Sequence, residues 1–178
     1  MRHLVVSLLA VGLAVTAAYA SAEDGCRAML CLAGNWKDVA PCRPPVEKVL
    51  RDLALGRSFP VCHFKNDNGS ETDSRESGFY SDNHSPTRLN CPPMYSTYSE
   101  DTGRWMGCIF RGVISTRINA QPWADVYWDT RGHTSTHYYG QAKAQLPPDQ
   151  LDPRYDKDLA EWRAAHPPGD GNGGGMQR

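Results

Sequence analysis

Six cysteines constrain the fold of this 178-residue chain more than any other feature. An even number of cysteines is typical of a disulfide framework when a protein is exported to an oxidising compartment. The same residue type could also hold a metal ion or supply a reactive thiol, so the compartment and the spacing must be considered first. The six are Cys26, Cys31, Cys42, Cys62, Cys91 and Cys108.

The first 22 residues have the layout of a cleavable secretory signal peptide. Arg2 and His3 give a basic start, and a mostly apolar run follows over residues 4–18. Small residues then mark two candidate cleavage points, after Ala20 and after Ala22. The apolar run is shorter than the roughly 20 residues that a membrane-spanning helix needs. We therefore expect an exported mature protein that begins near residue 23 and has no membrane span.

The charge balance argues against nucleic acid as a direct partner. The chain carries 19 Lys and Arg residues against 20 Asp and Glu residues, and its formal net charge is −1. Domains that bind nucleic acid commonly carry a basic patch or stripe. No such patch stands out in this sequence, so we expect no direct contact with nucleic acid.

Two helices are predicted between residues 24 and 64. A short apolar turn over residues 29–32 forms the first. The second begins at Pro44 and Pro45, because a helix tolerates proline in its first turn, and it ends at Gly56. Its apolar positions recur at i, i+3, i+4 and i+7, which predicts one buried face. These positions are Val46, Val49, Leu50 and Leu53.

The remaining chain divides into a polar loop, a strand-rich region and a C-terminal segment. Residues 65–92 are rich in Asn, Ser and Asp and predict one long loop. Residues 94–140 alternate aromatic and β-branched residues, as antiparallel strands do. The domain is therefore expected to cover residues 23–146. Residues 147–178 are expected to hold one short helix, from residue 155 to 165, and a flexible Gly-rich tail.

The strand-rich region predicts one apolar face and one face that mixes aromatic residues with charge, since side chains alternate along a strand. The apolar face should receive the second helix. Its residues are Met106, Cys108, Phe110, Ile114 and Ile118. The mixed face holds Trp105, Trp123 and Tyr127. Either the rest of the chain covers the mixed face, or these three aromatic residues form a partner surface.

The spacing of the cysteines favours disulfides over a metal site or a reactive thiol. Close Cys-x-x-Cys pairs, which zinc sites and thioredoxin-like redox sites use, do not occur in the sequence. Cys62 and His63 form the single adjacent Cys–His pair, and adjacent side chains of a strand point to opposite faces. We therefore expect no metal, no cofactor and no cysteine nucleophile.

Helix geometry narrows the disulfide pairing without fixing it. In one helix, Cys26 and Cys31 lie about 7.5 Å apart along the axis and on different sides of it. A disulfide requires Cα atoms within about 7 Å of each other, so these two should not pair. A helical hairpin brings Cys31 to Cys42. The preferred pairs are Cys26–Cys62, Cys31–Cys42 and Cys91–Cys108. The predicted fold is α+β, a disulfide-stapled helical hairpin packed on a small antiparallel β-meander, with a disordered C-terminal tail.

No catalytic motif is recognisable in the sequence. His133 and His137 are four residues apart, but the Thr-Ser-Thr between them favours an extended chain, which separates them by about 13 Å. That distance is too large for one metal ion. Four glutamates could supply a carboxylate pair for sugar hydrolysis, although nothing singles out two of them. These are Glu47, Glu71, Glu76 and Glu100.

Three short motifs resemble the TrbM/KikA family of conjugal-transfer proteins. They are "CRAMLCLAG" from residue 26, "CRPPVEKVL" from residue 42 and "FPVC" ending at residue 62. The resemblance lies in the cysteine spacing, the Cys-Leu-Ala-Gly step at 31–34 and the Cys-Arg-Pro-Pro step at 42–45. It continues more loosely through residues 105–108 and 122–128, over roughly two thirds of the mature chain.

This resemblance implies an exported accessory component of a plasmid-encoded conjugative type IV secretion apparatus, acting by binding or assembly in the periplasm. Protein components of the transfer apparatus are the implied partners. The family brings no catalytic residue, and the matched cysteines and the two motif steps are implied to be a structural framework. The alternative is a periplasmic cell-wall-active hydrolase that helps the secretion channel cross peptidoglycan.

Overall fold

The computed structural model describes residues 25–65 and 68–167 and confirms the α+β fold. The predicted signal peptide, residues 1–22, and the predicted Gly-rich tail lie outside the described residues. Of the helices that are described, none has the length and apolar character that crossing a bilayer requires.

The described residues contain four α-helices and eight short strands. The helices are α1 (residues 25–32), α2 (Arg43–Ala54), α3 (Gly140–Gln145) and α4 (Arg154–Ala165). The first four strands are β1 (His63–Lys65), β2 (Glu71–Asp73), β3 (Tyr80–His84) and β4 (Ser96–Tyr98). The other four are β5 (Trp105–Cys108), β6 (Gly112–Ile118), β7 (Gln121–Trp128) and β8 (Thr134–Tyr138).

The largest sheet has four antiparallel strands in the order β3-β6-β7-β8. Its last three strands follow one another along the chain, so they form the predicted meander. Strands β1 and β2 pair separately, and β4 and β5 form a second two-stranded ribbon.

The helical hairpin packs on one face of the large sheet, as predicted. The apolar face of α2 is buried together with Leu32 of α1 and with Ile114, Val126 and Trp128 of the sheet. Helix α2 ends where predicted, because Gly56 adopts a φ of +80° and its N–H bonds to the carbonyl of Leu53. This left-handed conformation favours glycine at the end of a helix.

Three disulfides hold the framework, and they are the pairs that the sequence favoured. Their Cα–Cα distances are 4.7 Å for Cys26–Cys62, 5.4 Å for Cys31–Cys42 and 5.9 Å for Cys91–Cys108. None of the six cysteines is free. Disulfides of this number form and persist in oxidising compartments, which is consistent with an exported protein.

The prediction of one long loop over residues 65–92 is wrong, because this segment contains β2 and β3. Strand β3 is an edge strand of the large sheet, and its polar side chains find partners on distant strands. Ser81 shares a hydrogen bond of 2.9 Å with Thr116, and Asn83 accepts one of 2.8 Å from the indole of Trp128. A polar sequence can therefore form a strand here.

The prediction of one apolar face from Met106 to Ile118 is also wrong. The chain changes its main-chain partner between β5 and β6, since Ile109 N–H bonds to the carbonyl of Tyr95, whereas Arg111 N–H bonds to that of Trp128. Phe110 consequently packs on the opposite side of the sheet from Ile114.

The segment from residue 148 to 167 is part of the fold. Helix α4 contacts β8, and its Tyr155 is buried among the aromatic residues that cover the second face of the sheet. Asp152 and Lys37 form a hydrogen-bonded ion pair of 2.8 Å between this segment and the turn after α1. Lys37 also donates to the carbonyl of Thr134, which caps the outer edge of β8.

Candidate functional site: the ribbon surface and the polar row

The mixed face of the sheet is largely covered by the chain itself, which decides between the two predicted alternatives. Tyr127 is 3% exposed and packs against Tyr95, Phe110 and Tyr155. Its hydroxyl donates a 3.0 Å hydrogen bond to the carbonyl of Asn90. Tyr127 is therefore a core residue, and its assignment to a partner surface is wrong.

Trp123 is also buried, with 5% of its surface exposed. Its indole N–H donates a 2.7 Å hydrogen bond to the carbonyl of Ala33, at the end of α1. The register between β6 and β7 shifts beside Thr116 and Arg117, so Trp123 does not keep the alternation that would place it beside Tyr127. It packs with Ala142 of α3 instead, and its assignment to a partner surface is wrong as well.

Trp105 lies half-buried on the β4–β5 ribbon, where its indole donates to the hydroxyl of Ser96 over 3.3 Å. Four large apolar side chains on the ribbon, or on the segments that flank it, are more exposed than Trp105. Met106 is 67% exposed and Ile109 is 58% exposed. Tyr98 and Leu89 are 50% and 98% exposed. Because several large apolar side chains are left in solvent on these neighbouring segments, the ribbon is a candidate interaction site.

Three arginines accompany these apolar side chains. Arg88, Arg104 and Arg111 are exposed, and none of them has an ion-pair partner among the described residues. Tyr, Met and Arg are the residue types that protein interfaces favour. We call this region the ribbon surface, and it consists of Arg88, Leu89, Tyr98, Arg104, Met106, Ile109 and Arg111.

The segments of the ribbon surface are held to one another by a disulfide, by strand pairing and by a side-chain hydrogen bond. The Cys91–Cys108 disulfide joins β5 to the segment that carries Leu89. The hydroxyl of Ser96 donates to the carbonyl of Cys91, and Gly103 turns the chain between β4 and β5 with a φ of +62°. A surface fixed in this way loses little conformational entropy when it binds a partner.

A row of polar residues is the second candidate feature, and it crosses the large sheet on the face opposite α2. The strand register aligns Asp82 with Ser115, Ser115 with Asp125 and Asp125 with His137. We call these four residues the polar row. All four are half-buried. The carboxylate of Asp125 accepts hydrogen bonds of 2.6 Å from the Ser115 hydroxyl and 2.7 Å from the Tyr139 hydroxyl.

The polar row does not have the order of a serine hydrolase. The hydroxyl of Ser115 donates directly to Asp125, so His137 does not stand between them as a base. Burial raises the pKa of Tyr139, and the neighbouring Asp125 raises it further. Tyr139 therefore stays protonated and donates to the carboxylate. The arrangement is suited to binding through hydrogen bonds or to chemistry at a carboxylate.

His137 lies against the aromatic residues that hold α4 in place. Its ring stacks on Tyr155 at 4.5 Å between centroids, with 16° between the planes. Burial lowers the pKa of His137, and Lys143 lowers it further, whereas Asp125 and Asp156 act in the opposite direction. The imidazole is therefore neutral at pH 7.

We expect the protein to lose stability as the pH falls from 7 to 5 because of His137. A lowered pKa in the folded state means that the unfolded chain binds more protons below about pH 6.5, so acidification favours unfolding. Replacing His137 by Phe keeps a ring against Tyr155 and should flatten this dependence. Urea unfolding at both pH values measures it. An unchanged slope in His137→Phe would contradict the assignment, and His133→Phe is the control.

The other predicted candidates do not meet at one site. His133 bonds to Asp129 over 2.8 Å rather than to His137. The four glutamates considered from the sequence are all exposed and belong to neither the ribbon surface nor the polar row. In the part of the chain that the structure describes, no three His, Cys, Asp or Glu side chains are grouped as a metal site requires.

Neither the ribbon surface nor the polar row is marked by a sequence motif. Leu89, Met106 and Ile109 belong to no sequence motif, and only their exposure in the structure identifies them as candidate contact residues. The polar row needs the register of four strands, one of which was predicted as loop. No family model, curated protein or solved structure matches this chain.

Proposed function

We propose that this protein is an exported accessory component of a conjugative type IV secretion apparatus and acts by binding or assembly in the periplasm. The cysteine motifs and the ribbon surface support the proposal. The cysteine motifs from residue 26 to 62 resemble the TrbM/KikA family, and the cysteines in them form two structural disulfides. A disulfide-bonded domain of this kind can hold a binding surface rigidly outside the cytosol.

The ribbon surface is the observation that carries the proposal. It presents Tyr98, Met106 and Ile109 to solvent beside three arginines without ion-pair partners among the described residues. Apolar and aromatic anchors give most of the binding energy at protein interfaces, and arginine adds hydrogen bonds and charge. The implied partner is a protein component of the apparatus whose surface combines apolar side chains with carboxylates.

The Met106→Ser, Ile109→Ser double variant tests this proposal. Both side chains are mostly exposed, so their truncation should leave the folded state intact. We expect the frequency of DNA transfer from a donor strain that carries only this variant to fall by about tenfold or more, because central interface residues often contribute over 1 kcal/mol each. The periplasmic level and the melting temperature should stay the same.

Leu55 provides a matched control. It is 70% exposed at the end of α2, outside the ribbon surface. A donor strain that carries only the Leu55→Ser variant should therefore transfer DNA at the normal frequency. A photo-crosslinking residue at position 106 should capture a component of the apparatus, whereas the same residue at position 55 should not. Normal transfer by the double variant would show that the ribbon surface is not the binding site.

A cell-wall-active hydrolase is the second candidate, and the polar row provides one observation in its favour. Asp82 and Asp125 are separated by one strand, which places their Cα atoms about 10 Å apart. The carboxyl groups of inverting glycosidases are roughly 6.5–9.5 Å apart, which is a separation that two aspartate side chains on Cα atoms at this distance can reach. This candidate predicts lysis of peptidoglycan in a zymogram, abolished by Asp125→Asn and retained by Glu100→Gln. Absence of lysis with the purified, oxidised protein would rule it out.

A further inference from the structure

A cleft of about 260 Å³ follows the outer edge of β3. Four consecutive residues, Tyr80 to Asn83, line it. Because consecutive side chains of a strand point to opposite faces, a cleft that contacts all four must run along the edge where the main-chain N–H and C=O groups lie. The opposite wall is a second run of four consecutive residues, Ser58 to Val61.

Both walls offer main-chain groups that have no partner in the described part of the chain. Strand β3 pairs with β6 on one side, and no strand pairs with its outer side among residues 25–65 and 68–167. No main-chain hydrogen bond within the same residues reaches the segment 58–61. An extended peptide between the walls could bond to β3 as an added strand, which is a common mode of peptide recognition.

The two-walled shape selects the kind of occupant. A second folded copy could not pair its own β3 with this edge, because in each copy the segment 58–61 stands in front of β3. A single extended segment does not have this obstruction. Met29 and Phe59 line the interior of the cleft, so an apolar side chain of the occupant would be accommodated there.

The charges beside the cleft select the occupant further. A second cleft, of about 350 Å³, shares Ser58, Pro60 and Val61 with the first and is lined by Lys48 and Arg57. Both cations bond to Asp52. Arg75 and Asp82 form a further ion pair on the β3 side. The two clefts together hold three cations and two carboxylates, which favours an acidic side chain on the occupant.

We propose that the β3 edge binds an extended peptide segment of a partner protein as a fifth strand of the large sheet, with an apolar side chain toward Met29 and Phe59 and an acidic side chain toward Lys48 and Arg57. This inference rests on the proposed role in binding and assembly. It uses a site separate from the ribbon surface, so each can be tested without the other.

The test uses a displayed library of random short peptides selected on the purified, oxidised protein. Ser58 is exposed and lines both clefts, so Ser58→Trp should fill the cleft without affecting the core. Selected peptides should bind this variant about tenfold or more weakly. Ser85→Trp is the matched control, because it places the same ring at an exposed serine outside the clefts. The selected peptides should bind this variant with the same affinity as the original protein.

Hydrogen exchange supplies the second measurement. Bound peptide should slow exchange at the amides of β3, and N-methylation of alternate peptide residues should abolish binding, because the contacts are made by the main chain. Failure to select any peptide, equal binding to Ser58→Trp, or protection confined to the ribbon surface would overturn the inference. None of these results would alter the outcome expected for the Met106 and Ile109 variant in DNA transfer.

Discussion

Replacing Gly112 by Ala is expected to lower the free energy of unfolding by about 3 kcal/mol or more. Gly112 pairs with Trp128 across β6 and β7, and the indole ring lies directly over the glycine. A Cβ atom at this position would overlap the ring atoms of Trp128. The ring could move only by leaving the α2 core and breaking its hydrogen bond to Asn83. Urea unfolding, followed by tryptophan fluorescence, measures the loss.

Gly140 is the matched control for this substitution. It begins α3, and a Cβ atom there has no neighbour within 4 Å. Gly140→Ala should therefore change the free energy of unfolding by less than about 0.5 kcal/mol, or stabilise the helix slightly. If Gly112→Ala were equally harmless, the position of the Trp128 ring would be wrong.

Removing the Cys26–Cys62 disulfide is expected to cost more stability than removing either of the others. It joins residues 36 positions apart, against 11 for Cys31–Cys42. The entropy of loop closure in the unfolded chain then gives about 3.8 kcal/mol for the first bridge and about 2.8 kcal/mol for the second. The double variant Cys26→Ala, Cys62→Ala should show the larger fall in the urea midpoint.

The variant Cys31→Ala, Cys42→Ala is the control for the effect of loop length. Each double variant removes one buried and one half-buried sulfur atom. Comparing the two variants therefore separates the effect of loop length from the effect of losing the sulfur atoms. If the short bridge proved the more stabilising of the two, unfolded-chain entropy could not be the main source of the effect.

The helical half of the fold could be predicted because its signals are local. Val46, Val49, Leu50 and Leu53 recur at helical spacing, and Gly56 ends the helix. Helix geometry also argued against a Cys26–Cys31 bridge, because residues five apart in a helix lie too far apart to pair, and it favoured the observed pairs without fixing them. Nothing in these inferences depends on a distant part of the chain.

Strand β3 could not be predicted because its stability comes from residues far away in sequence. The buried Ser81 shares a hydrogen bond with Thr116, and Asn83 accepts one from Trp128, 35 and 45 residues further on. The predicted partner residues proved to be buried for a related reason. Tyr127 keeps its predicted face but is covered by Tyr95 and Tyr155, which are distant in sequence, whereas Trp123 lies at a shift in register. Alternation gives the face of a residue only while the register holds, and it fails beside Trp123 and between β5 and β6.

The nested arrangement of the first two disulfides has a consequence for how the protein matures. Cys31–Cys42 lies inside the loop that Cys26–Cys62 closes. If the protein is exported from its N-terminus, as the predicted signal peptide implies, Cys26 and Cys31 would emerge together before Cys62 follows. If they are oxidised to each other at that stage, the bond must be exchanged, because α1 holds them apart in the native fold. Efficient maturation would then depend on a disulfide isomerase as well as an oxidase.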